Sequence, residues 1–323
     1  KSQPVKRVED HRFLTGEGRY VDDIAPRDAL QGVFFRAPVA HGVITELDVS
    51  DAREAAGVHL VLTCADLEAA GMDIALPHTV VDNRDGSKGA APLRPILAKD
   101  RVRYVGEPVA LIVADTLQQA RDAAELILFD ADDLPAKMDI APGGETLHPE
   151  APDNRAFDWG MGDEAKVEAA FAKAARRVKL EVGDNRIIVN SMEPRGCYAE
   201  WAEGRLHVAL GGQGVWAHKG FFVKAFGLSE DSVRVTNPDV GGGFGMKAMT
   251  YPEYFCVAQA ARALGRPVRW MSERTEAMLT DNGGRDLVSW AEFAFDENHK
   301  ITAYRVDTRC NLGAYNSQFG QPI

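Results

Sequence analysis

The stretch DVGGGFGMK at residues 239–247 is the most informative part of the chain, because three successive glycines follow the strand-like run VRV at residues 233–235. Glycine allows backbone conformations that other residues avoid, and it lets another group approach the main chain closely. Backbone N–H groups in such a loop can point together at an anion. The loop therefore predicts either an anion site or a tight turn beside a sheet, and the glycines alone leave both open.

The spacing of this loop excludes the two common nucleotide-binding glycine motifs. A P-loop requires Gly-Lys-Ser/Thr, whereas Met246 separates Gly245 from Lys247, and Ala248 follows. The dinucleotide fingerprint requires a glycine three residues after the second one, and from Gly243 that position is Met246. We therefore expect neither ATP nor NAD at this loop.

A second glycine cluster, GGQG at residues 211–214, lies between a predicted strand at 206–210 and a predicted helix at about 214–226. The side-chain amide of Gln213 can donate a hydrogen bond to a ligand placed at the N-terminus of that helix. A simple helix cap would use the same residues. Taken alone, this cluster is therefore better interpreted as a helix cap than as a ligand-binding site.

Composition and charge limit the classes of function. The chain has 323 residues, of which 45% are hydrophobic and 26% charged, which is typical of a globular protein with room for two domains. Its net charge of −11 repels phosphate backbones, so nucleic acid is not an expected partner. No apolar run has the length of a membrane span. The chain begins at Lys1 rather than Met, so we expect that an N-terminal piece precedes it.

Cysteine spacing indicates the redox compartment. Cys64, Cys197, Cys256 and Cys310 are far apart, and no pair has the spacing of a zinc site, an iron–sulfur site or a disulfide framework. We therefore predict mostly buried free thiols and a cytoplasmic location.

The periodicity of apolar residues predicts a mixed α/β (α+β) fold. In the N-terminal half we expect strands at 30–36, 58–63 and 109–114, a helix capped by Ser50, and a helix at 117–126 capped by Asp115-Thr116. In the C-terminal half we expect a helix at about 163–175, strands at 178–182 and 206–210, helices at 214–226 and from the cap Thr250 to Gly265, and a hairpin of 287–295 with 301–308. On the helix at 214–226 we interpret Trp216, Phe221, Phe222 and Phe226 as packing residues and His218 as a packed or surface histidine.

Taken together, these segments resemble the large molybdopterin-binding subunit of the family of xanthine dehydrogenase, aldehyde oxidase and aerobic carbon monoxide dehydrogenase. The family's GGGFGxK loop matches residues 241–247, and its upstream glutamine matches Gln213. The resemblance runs in order over essentially the whole chain. Its other matching stretches are RVED at 7–10, LTGEGRYVDD at 14–23, YVGEPV at 104–109, MEPR at 192–195 and RPVRW at 266–270.

The resemblance implies roles for particular residues. The glutamine at the position of Gln213 hydrogen-bonds an oxo group on molybdenum, and the loop residues matching Gly242, Gly243, Phe244 and Gly245 lie against the metal and pterin. Phe244 and Ala248 would line the substrate pocket, and no residue of this chain is expected to ligate the metal directly. The general-base glutamate is expected beyond Ile323, so no catalytic residue is assigned here. Glu193 is interpreted as a structural carboxylate near the pocket.

The resemblance also implies an organisation and an activity. We expect an N-terminal arm at 1–16, an α/β hammerhead-like domain at 17–132, a linker at 133–161 and the first, truncated part of a molybdopterin-binding domain at 162–323. The activity implied is oxidative hydroxylation with water as the oxygen source, at a molybdenum–molybdopterin centre for which the cytosine dinucleotide form is one option. The implied partners are an iron–sulfur [2Fe–2S] subunit and a FAD subunit in a dimer of heterotrimers. The chain alone would be inactive and would hold the cofactor poorly.

Three alternatives for the function stay open. Purine-oxidising members have a glutamate directly after the loop lysine, where this chain has Ala248, so an aldehyde or another N-heterocycle is a better prediction than xanthine. A carbon monoxide dehydrogenase is the alternative within the family, and a copper-binding cysteine loop beyond Ile323 would distinguish it. A cofactor-free scaffold subunit is the alternative from another class.

Overall fold

The computed structural model describes residues 4–322, and these form two compact units, each assembled from separate stretches of the chain. The first unit contains the residues up to Leu76, Pro95–Asp133 and Asn190–Thr280. The second contains Pro77–Arg94, Leu134–Val189 and the residues from Asp281 onward. The two units are not continuous stretches of the chain and so do not correspond to the predicted domains. The domain boundaries at 17–132 and 162–323 stay a prediction.

Helices and strands are interspersed along the chain, which confirms the predicted mixed α/β fold. The helices are α1 Asp10–Leu14, α2 Val21–Ile24, α3 Ser50–Glu54, α4 Cys64–Ala69, α5 Leu117–Ala124, α6 Glu164–Ala172, α7 Trp216–Phe226, α8 Pro252–Leu264 and α9 Arg274–Thr280. The strands are β1 Leu30–Arg36, β2 Gly42–Asp48, β3 Val58–Leu62, β4 Arg101–Val102, β5 Pro108–Ala114, β6 Leu128–Asp133, β7 Arg176–Asp184, β8 Gly196–Ala202, β9 Arg205–Leu210, β10 Val233–Thr236, β11 Val268–Met271, β12 Leu287–Phe295 and β13 Ile301–Cys310.

The first unit is built on a seven-stranded sheet in the order β10-β9-β8-β11-β1-β5-β3. Strand β1 pairs antiparallel with β5 on one side and parallel with β11 on the other, where Leu30 lies opposite Val268. One sheet therefore joins strands from both ends of the chain. A smaller sheet in the order β4-β2-β6 completes the unit.

Strand β5 is the centre of the core. Every residue from Pro108 to Ala114 is buried, which explains the continuous apolar run in the sequence, because a strand covered on both faces cannot alternate. One of its faces packs with α3 and α5 through Ile112 and Ala120, among other residues. Of the predicted pair Asp115-Thr116, Thr116 is the cap of α5: its hydroxyl accepts a hydrogen bond from the Gln119 N–H at 3.2 Å.

Two predicted helix caps are wrong by one residue. Helix α8 begins after Tyr251 rather than Thr250, although Pro252 in its first turn and Gly265 at its end, with φ 61°, are confirmed. Helix α3 begins at Ser50 itself, because the carboxylate of Asp48 accepts the Ser50 N–H at 2.8 Å. In the second case Val49 is the residue before the helix, and Asp48 accepts the N–H of the first helical residue.

The second unit contains a three-stranded antiparallel sheet in the order β13-β12-β7. The predicted hairpin is confirmed as β12 and β13. Helix α6 covers one face, where Phe171 is buried beneath the guanidinium groups of Arg177 and Arg305.

The opposite face of this sheet is apolar and exposed. The pairing places Phe293 between Val178 of β7 and Tyr304 of β13, and the same side carries Leu180, Val182 and Val306. We call these residues the apolar sheet face.

Three of the four cysteine thiols are buried, as predicted, and Cys310 is exposed. Between Leu134 and Asp163 the chain is irregular except for a short 3₁₀ turn at Pro152–Asn154. Within residues 4–322 no helix is long and apolar enough to cross a membrane.

Candidate cofactor-binding site

The glycine loop at residues 241–247 has a backbone that side chains would obstruct. Gly242 and Gly245 have φ of 99° and 89°, and Phe244 also adopts the left-handed region at φ 51°. A Cβ atom on Gly242 would lie 2.9 Å from Phe244 Cε2 and 3.2 Å from Ser191 Cβ. The glycine at this position is therefore required by both conformation and space.

Gln213 and the glycine loop lie together, as the sequence predicted. The Gly245 N–H donates to Gln213 Oε1 at 2.8 Å, and the Gln213 N–H donates to the carbonyl oxygen of Lys247 at 3.1 Å. A Cβ atom on Gly243 would lie 2.5 Å from Gln213 Oε1 and 2.6 Å from its Cγ, so only glycine leaves room for the glutamine. The amide orientation follows from the hydrogen bond to Gly245, which needs an oxygen at this position.

Four hydrogen-bond donors remain available at this site. No acceptor within residues 4–322 pairs with the N–H groups of Gly242, Gly243 and Phe244 or with Gln213 Nε2. Unpaired backbone and amide donors close together in a glycine loop are suited to an anionic group rich in oxygen atoms. A molybdenum–pterin cofactor carries oxo and phosphate oxygens, so this donor set fits it.

Phe244 and Ala248 differ in exposure. The Phe244 side chain is 79% exposed, and Ala248 is half-buried in the 3₁₀ turn Met246–Ala248. An exposed aromatic ring in a loop of this conformation can contact a bound molecule. The methyl group of Ala248 can supply neither a charge nor a hydrogen bond to it.

A carboxylate that the sequence assigned only a structural role holds both ends of the loop. Glu193 Oε2 accepts the Gly241 N–H at 2.8 Å and the Lys247 Nζ at 2.8 Å, and Lys247 is completely buried. The MEPR motif pointed to this region, but no sequence pattern indicated which residue would contact the glutamate.

The N-terminal arm contacts the start of the loop. Asp239 pairs with Arg12, accepts the Arg19 N–H at 2.7 Å and donates its own N–H to the Arg19 carbonyl oxygen at 3.0 Å. The hydrogen bond from Arg12 lowers the pKa of Asp239. The RVED and LTGEGRYVDD stretches therefore flank the point where the arm meets the glycine loop.

Arg195, the last residue of the MEPR motif, belongs to a buried network of charged side chains. Arg195 donates to Glu253 Oε2 at 2.9 Å and to Thr280 Oγ1 at 2.8 Å, and Arg36 donates to Glu253 Oε1 at 2.8 Å. Burial by itself raises the pKa of Glu253, but the charges of Arg195 and Arg36 outweigh it, and the pKa falls to about 2. The carboxylate is therefore ionised at neutral pH and joins α8 to the end of β1 and to the residue that precedes β8.

Helix α7 begins beside Gln213 and only partly follows the prediction. Phe222, Phe226 and His218 are buried, and burial lowers the pKa of His218. Trp216, in contrast, is 79% exposed, so its interpretation as a packing residue is wrong. It occupies the first turn, where the helical period that buries Phe222 and Phe226 places it on the outer side.

A glycine loop with free N–H groups, beside a glutamine amide on a mixed α/β scaffold, is the arrangement expected of a protein that binds a large anionic cofactor. Comparison with known families identifies that class. The molybdopterin cofactor-binding domain matches residues 147–323, and the a/b hammerhead domain of aldehyde oxidase and xanthine dehydrogenase matches residues 15–135. The chain belongs to this molybdopterin-dependent family, as the sequence motifs predicted.

Individual relatives agree with the family assignment. The nicotine 6-hydroxylase large subunit of Paenarthrobacter nicotinovorans is 36% identical over 97% of this chain and 38% of its own length. The solved CO dehydrogenase from Oligotropha carboxidovorans superposes with a TM-score of 0.85 at 31% identity, covering 94% of this chain and 39% of that one. Quinoline 2-oxidoreductase from Pseudomonas putida 86 superposes with a TM-score of 0.81 at 33% identity, covering 97% and 40%. The chain thus spans about two fifths of the length of these relatives.

Proposed function

We propose that this chain is part of the large subunit of a molybdenum hydroxylase that oxidises an aldehyde or an N-heterocycle with water as the oxygen source. The observation that carries the proposal is the set of free donors formed by Gln213 Nε2 and the N–H groups of residues 242–244. Nicotine and quinoline, named in two of the relatives, are both N-heterocycles. The missing carboxylate at Ala248 also favours such a substrate over xanthine.

The residues of this chain would bind and orient the cofactor rather than transform the substrate. Gln213 would donate its amide hydrogens to an oxo group, while Gly242, Gly243 and Gly245 allow the loop backbone to approach the pterin and metal. When bound, the molybdenum–pterin group supplies oxygen transfer and accepts two electrons. Phe244 would form the apolar wall on the substrate side and exclude water from it.

Further features of the whole protein belong to the same proposal. The cytosine dinucleotide form is one option for the pterin. The [2Fe–2S] and FAD groups would be carried by partner subunits in a dimer of heterotrimers. The buried free thiols of Cys64, Cys197 and Cys256 are compatible with a cytoplasmic location. The general-base glutamate would be supplied by a part of the subunit beyond Ile323.

The first test is the molybdenum and pterin content of the complex that contains this chain, isolated from its source. About one molybdenum per chain, with iron and flavin co-purifying, is the expected result. A folded complex without molybdenum would contradict the proposal and favour a scaffold subunit.

A substitution then tests the role of Gln213. Gln213→Ala should lower kcat by about 10²–10³-fold, the usual cost of removing one donor that stabilises developing charge. Gln118→Ala is the matched control, since Gln118 is also an exposed glutamine but lies on α5. Equal activity of the two variants would exclude Gln213 from the site.

A carbon monoxide dehydrogenase is the second candidate, because the CO dehydrogenase structure superposes with the higher TM-score of the two solved structures. Copper content and CO oxidation by the same isolated complex distinguish the candidates. Copper together with CO-dependent dye reduction would favour the dehydrogenase, and turnover of an aldehyde or N-heterocycle without copper would favour the hydroxylase.

A further inference from the structure

Glu193 makes contacts that no packing role requires. Its Oε2 atom takes hydrogen bonds from the first glycine of the loop and from the lysine at the loop's end, Gly241 and Lys247. Its backbone N–H also donates to the Gly241 carbonyl oxygen at 3.0 Å. A single residue therefore joins two points that lie six residues apart and closes the loop into a ring.

The closed loop in turn fixes Gln213. The carbonyl oxygen of Lys247 accepts the Gln213 N–H, and the Gly245 N–H holds Gln213 Oε1. Both atoms that orient the glutamine thus belong to the segment that Glu193 closes. Opening the loop at Lys247 would release the backbone of Gln213 and with it the direction of the Nε2 donor.

Glu193 is itself held from behind. Arg274 donates to Asn190 Oδ1 at 2.6 Å, to the Ser191 carbonyl oxygen at 2.7 Å and to the Met192 carbonyl oxygen at 2.9 Å. The Ser191 hydroxyl donates to the Glu193 carbonyl oxygen at 2.7 Å. The segment before Glu193 is therefore a fixed support for the carboxylate.

Close packing around the Glu193 side chain also indicates that the surrounding residues leave space for it. A Cβ atom on Gly241 would lie 2.5 Å from Glu193 Cβ, and one on Gly211 would lie 3.3 Å from Glu193 Oε2. Two glycines from separate clusters thus make room for one side chain. Glu193 Oε1 is buried and has no hydrogen-bond partner in the described part of the chain, so all hydrogen bonding is concentrated on Oε2.

We propose that Glu193 and Lys247 form a clamp, defined by these two side chains, that positions the glycine loop and Gln213 for the cofactor. Glu193 is a positioning residue, because it acts through the loop and not by touching substrate. The catalytic part of this inference rests on the proposed function, whereas the closing of the loop does not.

The test uses the full complex with the paired substitution Glu193→Gln/Lys247→Met. Changing both residues avoids leaving the buried lysine without a counter-charge, and similar side-chain volumes preserve the packing. The amide oxygen introduced at position 193 can still accept the Gly241 N–H, so the bond between residues 193 and 247 is lost while the bond to Gly241 is kept. Glu193→Ala/Lys247→Met removes both bonds. Lys99→Met/Glu68→Gln is the matched control, because it removes a Lys–Glu pair with the same 2.8 Å distance elsewhere in the first unit.

Hydrogen exchange of the hydrogen-bonded loop amides of Gly241, Gly245 and Met246 is the first readout, and the separate values of kcat and KM are the second. The Gln/Met variant should exchange roughly tenfold to a hundredfold faster in the loop and lose kcat by a similar factor, with little change in KM. The Ala/Met variant should show the larger effect of the two, and the control should match the wild type.

Three other results are informative. Unchanged loop exchange in both clamp variants would overturn the proposal. Faster exchange throughout the first unit with a lower Tm would also overturn it, since that is general destabilisation. Faster exchange confined to the loop, in a complex that contains no molybdenum even in its wild-type form, would support the clamp and contradict the proposed function.

Discussion

Replacing Gly243 by alanine should impair the site while leaving the fold nearly unchanged. The added Cβ would lie 2.6 Å from Gln213 Cγ and 2.5 Å from its Oε1. Carbon atoms in favourable contact are about 3.5–4.0 Å apart, so the glutamine side chain must move by about 1 Å. It then loses its hydrogen bond to the Gly245 N–H.

The two consequences differ in size. Loss of one hydrogen bond costs about 1 kcal/mol, and the smaller freedom of alanine in the unfolded chain offsets about 0.4–1 kcal/mol of it. The free energy of unfolding should therefore change by less than about 1 kcal/mol. A displacement of about 1 Å at a positioned group, in contrast, costs about 10²-fold in rate.

The assay measures kcat, molybdenum content and Tm of the complex for Gly243→Ala and for a matched control, Gly220→Ala. Gly220 lies within α7, and no heavy atom lies within 4 Å of the Cβ it would gain. The control should keep its kcat and gain up to about 1 kcal/mol in stability. A Gly243→Ala complex that contains molybdenum and keeps kcat within about threefold of the wild type would refute the close-approach argument.

Three further predictions concern other parts of the molecule. The pKa of Glu253 lies below its unfolded value, so its ionisation stabilises the fold above pH about 4.5, and that contribution is lost as the pH falls towards about 2. In urea unfolding, Glu253→Gln should be less stable than the wild type by about 3–5 kcal/mol at pH 7, and this difference in unfolding free energy should narrow below pH 4.5. The chain expressed alone should self-associate through its apolar sheet face. In sedimentation velocity, Leu180→Lys should lower the fraction of dimer without lowering Tm, whereas Lys179→Gln, on the other face of the sheet, should leave the dimer fraction unchanged. Arg12→Ala should speed hydrogen exchange in residues 10–19 at unchanged Tm, and unaltered exchange there would mean that the contact with Asp239 does not hold the arm.

Local structure followed from the sequence wherever one residue type has one strong preference. The apolar run of β5, the Thr116 cap and the Gly265 terminus each depend on neighbouring residues alone. The predicted cap at Ser50 was wrong by one residue, because the helix already begins at Ser50, whose N–H is accepted by the charged carboxylate of Asp48.

Contacts between residues far apart in the chain could be predicted much less well from the sequence. The motif resemblance grouped Gln213 with the glycine loop, and the structure brings them together, but their roles towards the cofactor stay a prediction. No periodicity could show that Glu193 would bond to Gly241 and Lys247, because that contact depends on the path of the chain between β7 and β8. The pairing of β1 with β11 could not be predicted either, since strands so far apart in the chain share no turn of the kind that predicted the β12–β13 hairpin.

The parallel pairing of Leu30 with Val268 has a consequence for how the protein is made on the ribosome. The partners are 238 residues apart, as the difference of their numbers shows. At about 5–20 residues per second, roughly 12–48 s pass between the synthesis of β1 and that of the strand it needs. During that interval one edge of β1 has no partner, and an unpaired apolar edge is a template for aggregation. We therefore expect nascent chains that stop before β11 to require chaperones, and this requirement to end once residues 268–271 have left the exit tunnel.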